Sequence, residues 1–256
     1  MTPEQLTDIR AFAVGIAQEA GRLTLDYFQR GVSAETKPDN SPVTIADRRS
    51  EELLRDRIAR RFPTHGILGE EHGETAGSEP ARWIIDPIDG TFSFISGVPL
   101  YCVLVGFEWQ GEMAAGVIHM PALRETIHAA RGQGCAWNDG VARVSDIGEL
   151  AQARVSCTSM KWNRRNGREP HYQRLLDGVG HDRGWPDGYA YALLATGRVD
   201  IVVDAGMHIW DTAAVLPCVT EAGGTLTDFT GIVDHRRPEA VGTNGRLFEA
   251  VMRALG

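Results

Sequence analysis

The sequence predicts a mixed α/β (α+β) fold built from two layered subregions that meet near residue 145. Three observations lead there. Apolar residues recur at helical spacing near the N-terminus. Apolar runs alternate with tight turns from residue 100 to residue 134, as in an antiparallel meander. Short strands and helices then alternate through the C-terminal part. The first subregion spans residues 1–145 and the second 146–256, with no internal repeat or low-complexity segment between them.

Residues 4–30 place Leu6, Ile9, Ala13, Ile16, Ala17, Ala20, Leu23 and Tyr27 on one helical face, with Thr2-Pro3 as the start and Gly31 as the stop. Thr36 to Pro42 is rich in turn formers and is expected to be exposed. Val43-Thr44-Ile45-Ala46-Asp47 leads into a second helix that runs to Arg61, turns Leu53, Leu54 and Ile58 inward and ends at Phe62-Pro63. Ile67 to Glu71 reads as a short strand ending in acids, and Gly73 to Ala81 as a surface loop. Trp83-Ile84-Ile85 suits a buried strand, which Pro87 is expected to stop. A short helix from Thr91 to Gly97 carries Phe92 and Phe94. Residues 100–108 and 113–119 form a hairpin around Trp109-Gln110-Gly111-Glu112, and 126–130 adds a further strand before the Gly132–Gly134 turn. Beyond residue 145 the pattern predicts strands at 153–157, 199–203, 225–228 and 240–243. It predicts helices at 171–179, 188–196, 210–222 (closed by Gly223-Gly224) and 248–255.

Hydrophobic content of 43% and charged content of 23% are those of an ordinary soluble chain, and a net charge of −8 argues against a nucleic-acid partner. No apolar run reaches the roughly 18 residues of a membrane span. The polar, acidic start Met1-Thr2-Pro3-Glu4-Gln5 is not a signal peptide. The four cysteines, Cys102, Cys135, Cys157 and Cys218, form no C-x-x-C pair and are expected to be buried free thiols in a reducing cytoplasm. The eight histidines form no H-E-x-x-H pattern.

The chemistry concentrates at Asp86-Pro87-Ile88-Asp89-Gly90-Thr91. Two aspartates on one rigid turn are costly to hold together without a cation between them. A helix opening at Thr91 points free N–H groups at the same place, which suits an anion. Acids also end other apolar elements, at Glu70 and at Asp211 beside Trp210, and Asp47 fronts the second helix. Each alone reads as a cap or a surface acid. Jointly, oxygen donors without Cys or His select a hard cation, Mg²⁺ or Mn²⁺. Their scatter along the chain excludes an EF-hand loop.

Four blocks carry a resemblance to the inositol monophosphatase-like family of metal-dependent phosphomonoesterases. They are Lys37-Pro38-Asp39 with Val43-Thr44-Ile45-Ala46-Asp47; Gly69-Glu70-Glu71; Asp86 to Thr91; and Trp210-Asp211-Thr212-Ala213-Ala214 with Glu221-Ala222-Gly223-Gly224. They span nearly the whole chain. The resemblance implies a layered α-β-α-β-α sandwich, of the inositol monophosphatase and fructose bisphosphatase type, and a homodimer. It implies that Glu70, Asp86, the Ile88 carbonyl, Asp89 and Asp211 hold two or three Mg²⁺ ions, with Mn²⁺ as a substitute. It pairs Asp47 with Thr91 to orient or activate a water, with Glu70 beside them. Gly90 and Thr91 then present N–H groups to the phosphate. Water attacks phosphorus directly in such enzymes, helped by cations that neutralise the phosphate and the departing alkoxide.

Specificity signals lie downstream. Ser93 to Pro99 is similar to the histidinol-phosphate phosphatase branch of that family, though Phe92 replaces a polar residue. Gly184-Trp185-Pro186-Asp187-Gly188-Tyr189 resembles the same branch, with Pro186 in place of its usual glycine. Asp187 and Asp204 are candidates to pair with a cationic alcohol half; the plainer readings are a turn residue and a strand-end cap. Arg183 either reaches a phosphate or is a surface arginine. Histidinol phosphate is therefore the expected substrate, with inositol 1-phosphate, a sugar bisphosphate or a nucleotide 3′-phosphate as alternatives. A non-catalytic binding protein on the same fold would be expected to have lost part of the acid set, which is complete here.

Overall fold

The computed structural model describes residues 1–38 and 41–256; Asp39, part of one of the four blocks, and Asn40 lie outside the described residues. The first helix, α1 (Pro3–Leu25), opens on a capping box in which Thr2 and Gln5 satisfy each other's backbone N–H groups. It buries Leu6, Ile9, Ala13, Ile16, Ala17 and Ala20 as the spacing predicts, but stops at Leu25 rather than near residue 30. Gln29 and Gly31 both take positive φ, which a continuing helix cannot accommodate.

The turn-rich segment carries an unpredicted two-stranded hairpin, β1 (Ala34–Thr36) with β2 (Pro42–Thr44). It feeds directly into α2 (Ile45–Arg61). Next come β3 (Gly66–Gly69), β4 (Gly73–Thr75), β5 (Ala81–Asp89), α3 (Thr91–Ile95), β6 (Cys102–Trp109), β7 (Glu112–Met120), β8 (Glu125–Ala130), β9 (Cys135–Trp137) and β10 (Gly140–Ala142). These strands make one eight-stranded sheet in the order β10-β9-β8-β7-β6-β5-β3-β4. The expected meander from β6 to β8 is there, and β5 adds to it antiparallel. The sequence reading missed β4, β9 and β10, which are three-residue elements too short to show a period.

The second half contains β11 (Arg154–Ser156), α4 (Met160–Arg165), α5 (Glu169–Leu176), β12 (His181–Arg183), α6 (Asp187–Ala195), β13 (Ile201–Ala205), α7 (Ile209–Ala213), α8 (Val215–Glu221), β14 (Thr225–Thr227), β15 (Glu239–Thr243) and α9 (Phe248–Leu255). Its five strands form a second sheet, β12-β11-β13-β15-β14. The single helix expected over residues 210–222 is two helices broken at Ala214. Pro217 has no N–H to bond back to the carbonyl of Ala213, so the helix cannot run through. The break rests on β7 at Gly116, where a Cβ would meet the Ala214 carbonyl oxygen at 2.1 Å. Only glycine permits that approach, which seats α7 over β5 and β6.

The elements stack as α-β-α-β-α. Helices α1 and α2 cover one face of the large sheet, packing Leu6, Ile9, Ala13, Leu54 and Ile58 against Trp83, Ile85, Val103, Val105 and Val117. Alternate residues of the same strands, Leu104, Ile118 and Ile127, point the other way onto Tyr191 and Leu194 of α6 and Val215 and Val219 of α8. Those helices also touch Val202, Leu226 and Ala240 of the small sheet, so one core joins the two sheets. Helices α5 and α9 close the outer face with Tyr172, Leu175, Val251 and Leu255. Each fully buried large side chain in these layers contributes about 1.5–3 kcal/mol.

Burial of His119 on β7 sets an acid limit to stability. It lies beneath α1, 8% exposed, with Nδ1 2.9 Å from the Thr126 hydroxyl. Burial pushes its imidazole from the ordinary 6.5 down to about 4. Between those values the unfolded chain binds a proton that the folded chain refuses, so stability is complete above about pH 6.5 and falls on acidification. At pH 5 the loss is about 2 kcal/mol. His119→Gln is expected to lose correspondingly less melting temperature between pH 7 and pH 5 than the parent; equal losses would refute the assignment.

Candidate active site

The acidic turn is made by a bulge. In β5, Asp86 pairs with Leu104 of β6 and Asp89 with Cys102, so three steps along β5 match two along β6. Contrary to the sequence expectation, Pro87 does not end the strand; it occupies this irregularity, where a missing N–H is tolerated. Without the extra residue, positions 86 and 89 would face opposite sides of the sheet. With it, carboxylate oxygens of Asp86, Asp89 and Asp211 lie within 4.8 Å of one another. The Ile88 N–H holds Asp86 Oδ1 at 3.0 Å. Asp211, in the first turn of α7, accepts a bond of 2.7 Å from the His208 N–H.

These acids repel one another; two are buried and Asp211 is half-buried. Asp86 is 2% and Asp89 9% exposed. Burial, then the charges of neighbouring acids, push both well above the ordinary carboxylate value. Asp211 is pushed up to about 8, chiefly by burial. Among the described residues no lysine or arginine pairs with any of the three. A buried set of oxygen donors that cannot ionise together unaided fits a hard divalent cation. Glu70 lines the same cavity but is paired with Lys37 at 2.6 Å, as is Glu71. Burial opposes the lysine's charge, yet the two glutamates hold its pKa above the ordinary value. Behind them Glu51, fully buried and paired with Arg55, accepts the N–H groups of Glu71 and His72 and so fixes the chain that presents Glu70.

Gly90, at φ +87, turns the chain into α3. The Thr91 hydroxyl faces Asp47 Oδ1 at 3.3 Å and the Ile88 carbonyl at 3.1 Å. Asp47 is fully buried at the start of α2, and its Oδ2 takes bonds from the Thr44 N–H and hydroxyl at 2.8 and 2.6 Å. Burial raises its pKa, and the Thr44 bonds work in the opposite direction.

Opposite this turn stands the start of α6. Asp187 adopts φ +54, and its carboxylate comes so near Gly90 that a Cβ there would lie 2.9 Å from Oδ2. Burial, then the charge of Asp204, push Asp187 up to about 7. The Gly188 N–H donates to Asp89 Oδ2 at 2.5 Å, linking the two halves of the chain through the acid cluster. Asp204 is 3% exposed within β13, not a strand-end cap, and accepts from the Thr158 N–H at 2.6 Å and the Tyr191 hydroxyl at 3.0 Å. Thr158 also accepts the Asp187 N–H at 2.8 Å, so one threonine positions both aspartates.

A cavity of about 600 Å³ is lined by Glu70, Asp86, Ile88, Asp89, Gly90, Thr91, Asp187, Asp204 and Asp211. The fold thus brings together every sequence-predicted site residue except two. Asp47 lies just behind Thr91, and Arg183 stands apart, exposed on β12 with its guanidinium turned to the Asp182 carbonyl. The arginine in the lining is Arg165 of α4, beside Trp162 and Thr158. Sequence reasoning passed over these three; the one available signal was Ser159 as a helix cap. A second concavity, of about 570 Å³ between α1 and β8, holds arginines and histidines but no acid cluster.

An oxygen-only acid cluster at a sheet end, facing a helix start that offers N–H groups, is the apparatus of a cation-assisted phosphate hydrolase. A sequence profile of the inositol monophosphatase family matches residues 5–255. A histidinol-phosphatase of Chlorobaculum parvum is 44% identical over 248 residues, 95% of each chain. One from Mycobacterium tuberculosis is 37% identical over 95% of this chain and 96% of its own. Among solved structures, the extragenic suppressor protein suhB of Bartonella henselae superposes with a TM-score of 0.91 at 29% identity, covering 97% of this chain and 98% of its own. The Thermotoga maritima IMPase superposes with a TM-score of 0.88 at 30% identity, covering 97% and 96%. The chain belongs to the inositol monophosphatase family, and it is a phosphoric monoester hydrolase.

Proposed function

We propose that the protein hydrolyses histidinol phosphate to histidinol and phosphate. The observation that carries the reading is the pair Asp187 and Asp204, which line the same cavity as the start of α3, with the Asp187 carboxylate beside Gly90. A phosphate held by the Gly90 and Thr91 N–H groups leaves its alcohol half against two carboxylates, and a substrate with an ammonium group suits them. An inositol ring offers only hydroxyls. The relatives named histidinol-phosphatase support the same substrate, while an inositol-1-monophosphatase of Mesorhizobium japonicum is 33% identical.

Asp86, Asp89 and Asp211, with Glu70 and the Ile88 carbonyl beside them, would hold Mg²⁺, in two or three ions or with Mn²⁺ as a substitute. When bound, such a cation neutralises phosphate charge and eases ionisation of water. The rest falls to the chain's own groups. Both partners of the Thr91 hydroxyl, Asp47 and the Ile88 carbonyl, are acceptors, so the hydroxyl gives them its one hydrogen. A lone pair of its oxygen then accepts a hydrogen from a water, whose own oxygen is turned to phosphorus. In this reading residues 1–145 supply the hydrolytic groups and residues 146–256 the specificity acids and Asp211. The protein acts as a cytoplasmic homodimer, a location in keeping with its four buried free thiols. Among the described residues no helix is long and apolar enough to cross a membrane.

With Mg²⁺, turnover of histidinol phosphate is expected to exceed that of inositol 1-phosphate and fructose 1,6-bisphosphate in kcat/KM. Asp187→Asn removes one charge-assisted contact of about 1.5–3 kcal/mol, which lowers kcat/KM for histidinol phosphate by about 10- to 150-fold. The same change should leave inositol 1-phosphate nearly unaffected. A preference for inositol 1-phosphate in the parent enzyme would sink the substrate assignment.

A further inference from the structure

We propose that Phe92 and Trp162 form two aromatic walls of the subsite for the alcohol half, and that this subsite takes a flat aromatic or heteroaromatic ring. The inference rests on the substrate reading above and adds to it the side chains that would hold the ring of the alcohol half.

Two large aromatic side chains stand in solvent where the core does not need them. Phe92 is 63% exposed, whereas Phe94, two residues on, is 3% exposed. Phe94 anchors α3, its ring 4.9 Å from that of Tyr101 and 5.7 Å from that of Phe28. Phe92 contributes nothing to that cluster and lines the active-site cavity instead. Helix α4 repeats the arrangement. Asn163 is its buried residue, and Trp162 is 40% exposed and lines the same cavity. The indole is held in place: it lies against Gly206, where a Cβ would come within 3.2 Å of the ring, and the Arg165 guanidinium sits 5.2 Å from its centroid. Gly206 follows Asp204 by two residues, so this wall is tied to the strand that carries a specificity acid.

The cavity is therefore of mixed character. Its carboxylates include the buried Asp86, Asp89 and Asp204, whereas its aromatic side chains, Phe92 and Trp162, are exposed, with the Arg165 guanidinium over the indole. A substrate with a phosphate, a short cationic link and a flat ring matches this combination of buried acids and exposed aromatic rings. Stacking on such faces contributes about 0.5–1.5 kcal/mol beyond the area buried. A polyhydroxylated ring would instead press hydroxyls against surfaces that offer them no partner.

Benzyl phosphate and cyclohexylmethyl phosphate separate this from the substrate reading, since they differ mainly in the flatness of the ring. The Mg²⁺-loaded parent enzyme is expected to show the lower KM for benzyl phosphate. Phe92→Ala and Trp162→Ala should each raise that KM about fivefold and leave the KM for cyclohexylmethyl phosphate within about twofold. Phe92→Tyr and Trp162→Phe should restore it, and histidinol phosphate should follow benzyl phosphate. Equal changes for both esters, or none, would overturn the proposal. Hydrolysis of histidinol phosphate with a KM indifferent to both alanine variants would also overturn it and leave the substrate reading standing. A flat-ring preference without turnover of histidinol phosphate would do the reverse.

Discussion

Asp86→Asn is expected to abolish turnover and yet to stabilise the protein when divalent ions are removed. Asp86 is at the centre of the cluster, raised by burial and then by the charges of Glu70, Asp89 and Asp211. Its folded pKa lies above its unfolded one. The unfolded chain therefore loses a proton more readily, and stability is lost as pH rises above the ordinary carboxylate value. Asparagine keeps the shape and the bond from the Ile88 N–H without that penalty. In chelator at neutral pH the variant should gain about 1–3 kcal/mol, on the order of 5 °C in a chain of this length. With Mg²⁺ the order reverses, because the parent gains binding free energy that the variant forfeits. Loss of a charged ligand should lower kcat by about 10³-fold or more. Melting curves with and without Mg²⁺ and a kcat measurement decide it. Parent-like activity at the parent's Mg²⁺ requirement would show that Asp86 is not a ligand.

Asp47→Asn should cost about 10²- to 10³-fold in kcat with little change in KM. The carboxylate accepts three bonds, two from Thr44 and one from Thr91. Asparagine can still accept from Thr44 through its oxygen, so the cap on α2 survives and the fold with it. Its amide nitrogen then faces Thr91 and donates where the aspartate accepted. That donor would compete with the proposed water for the threonine oxygen and so disturb the orientation that this oxygen is proposed to give it. An unaltered melting temperature beside a fall confined to kcat is the expected signature. A rise in KM with kcat intact would place Asp47 in substrate binding instead.

Much of this architecture is legible in the sequence for identifiable reasons. Long amphipathic or apolar runs such as Leu6 to Ala20 and Trp83 to Ile85 announce themselves, because periodic burial needs many residues to register. Three-residue strands such as β9 and β12 carry no period and stay invisible. The break at Ala214 was readable in Pro217 but masked by apolar residues on both sides. Among site residues, Asp86, Asp89, Thr91 and Asp211 stand in compact motifs, whereas Trp162 and Arg165 sit in none. Arg183 shows the converse: a plausible charge near the right motif, on an edge strand that directs it away from the cavity.

The sequence by itself determined the class of fold and the kind of chemistry and pointed to the acids proposed to carry it, since these depend on residue types at short spacings. The tertiary structure alone decided how those acids meet. A one-residue bulge turns Asp89 to the side of Asp86, and Gly116 lets α7 settle where Asp211 joins them. It also decided which aromatic side chains face the cavity rather than the core, because burial belongs to the packed layers and not to any single segment of chain.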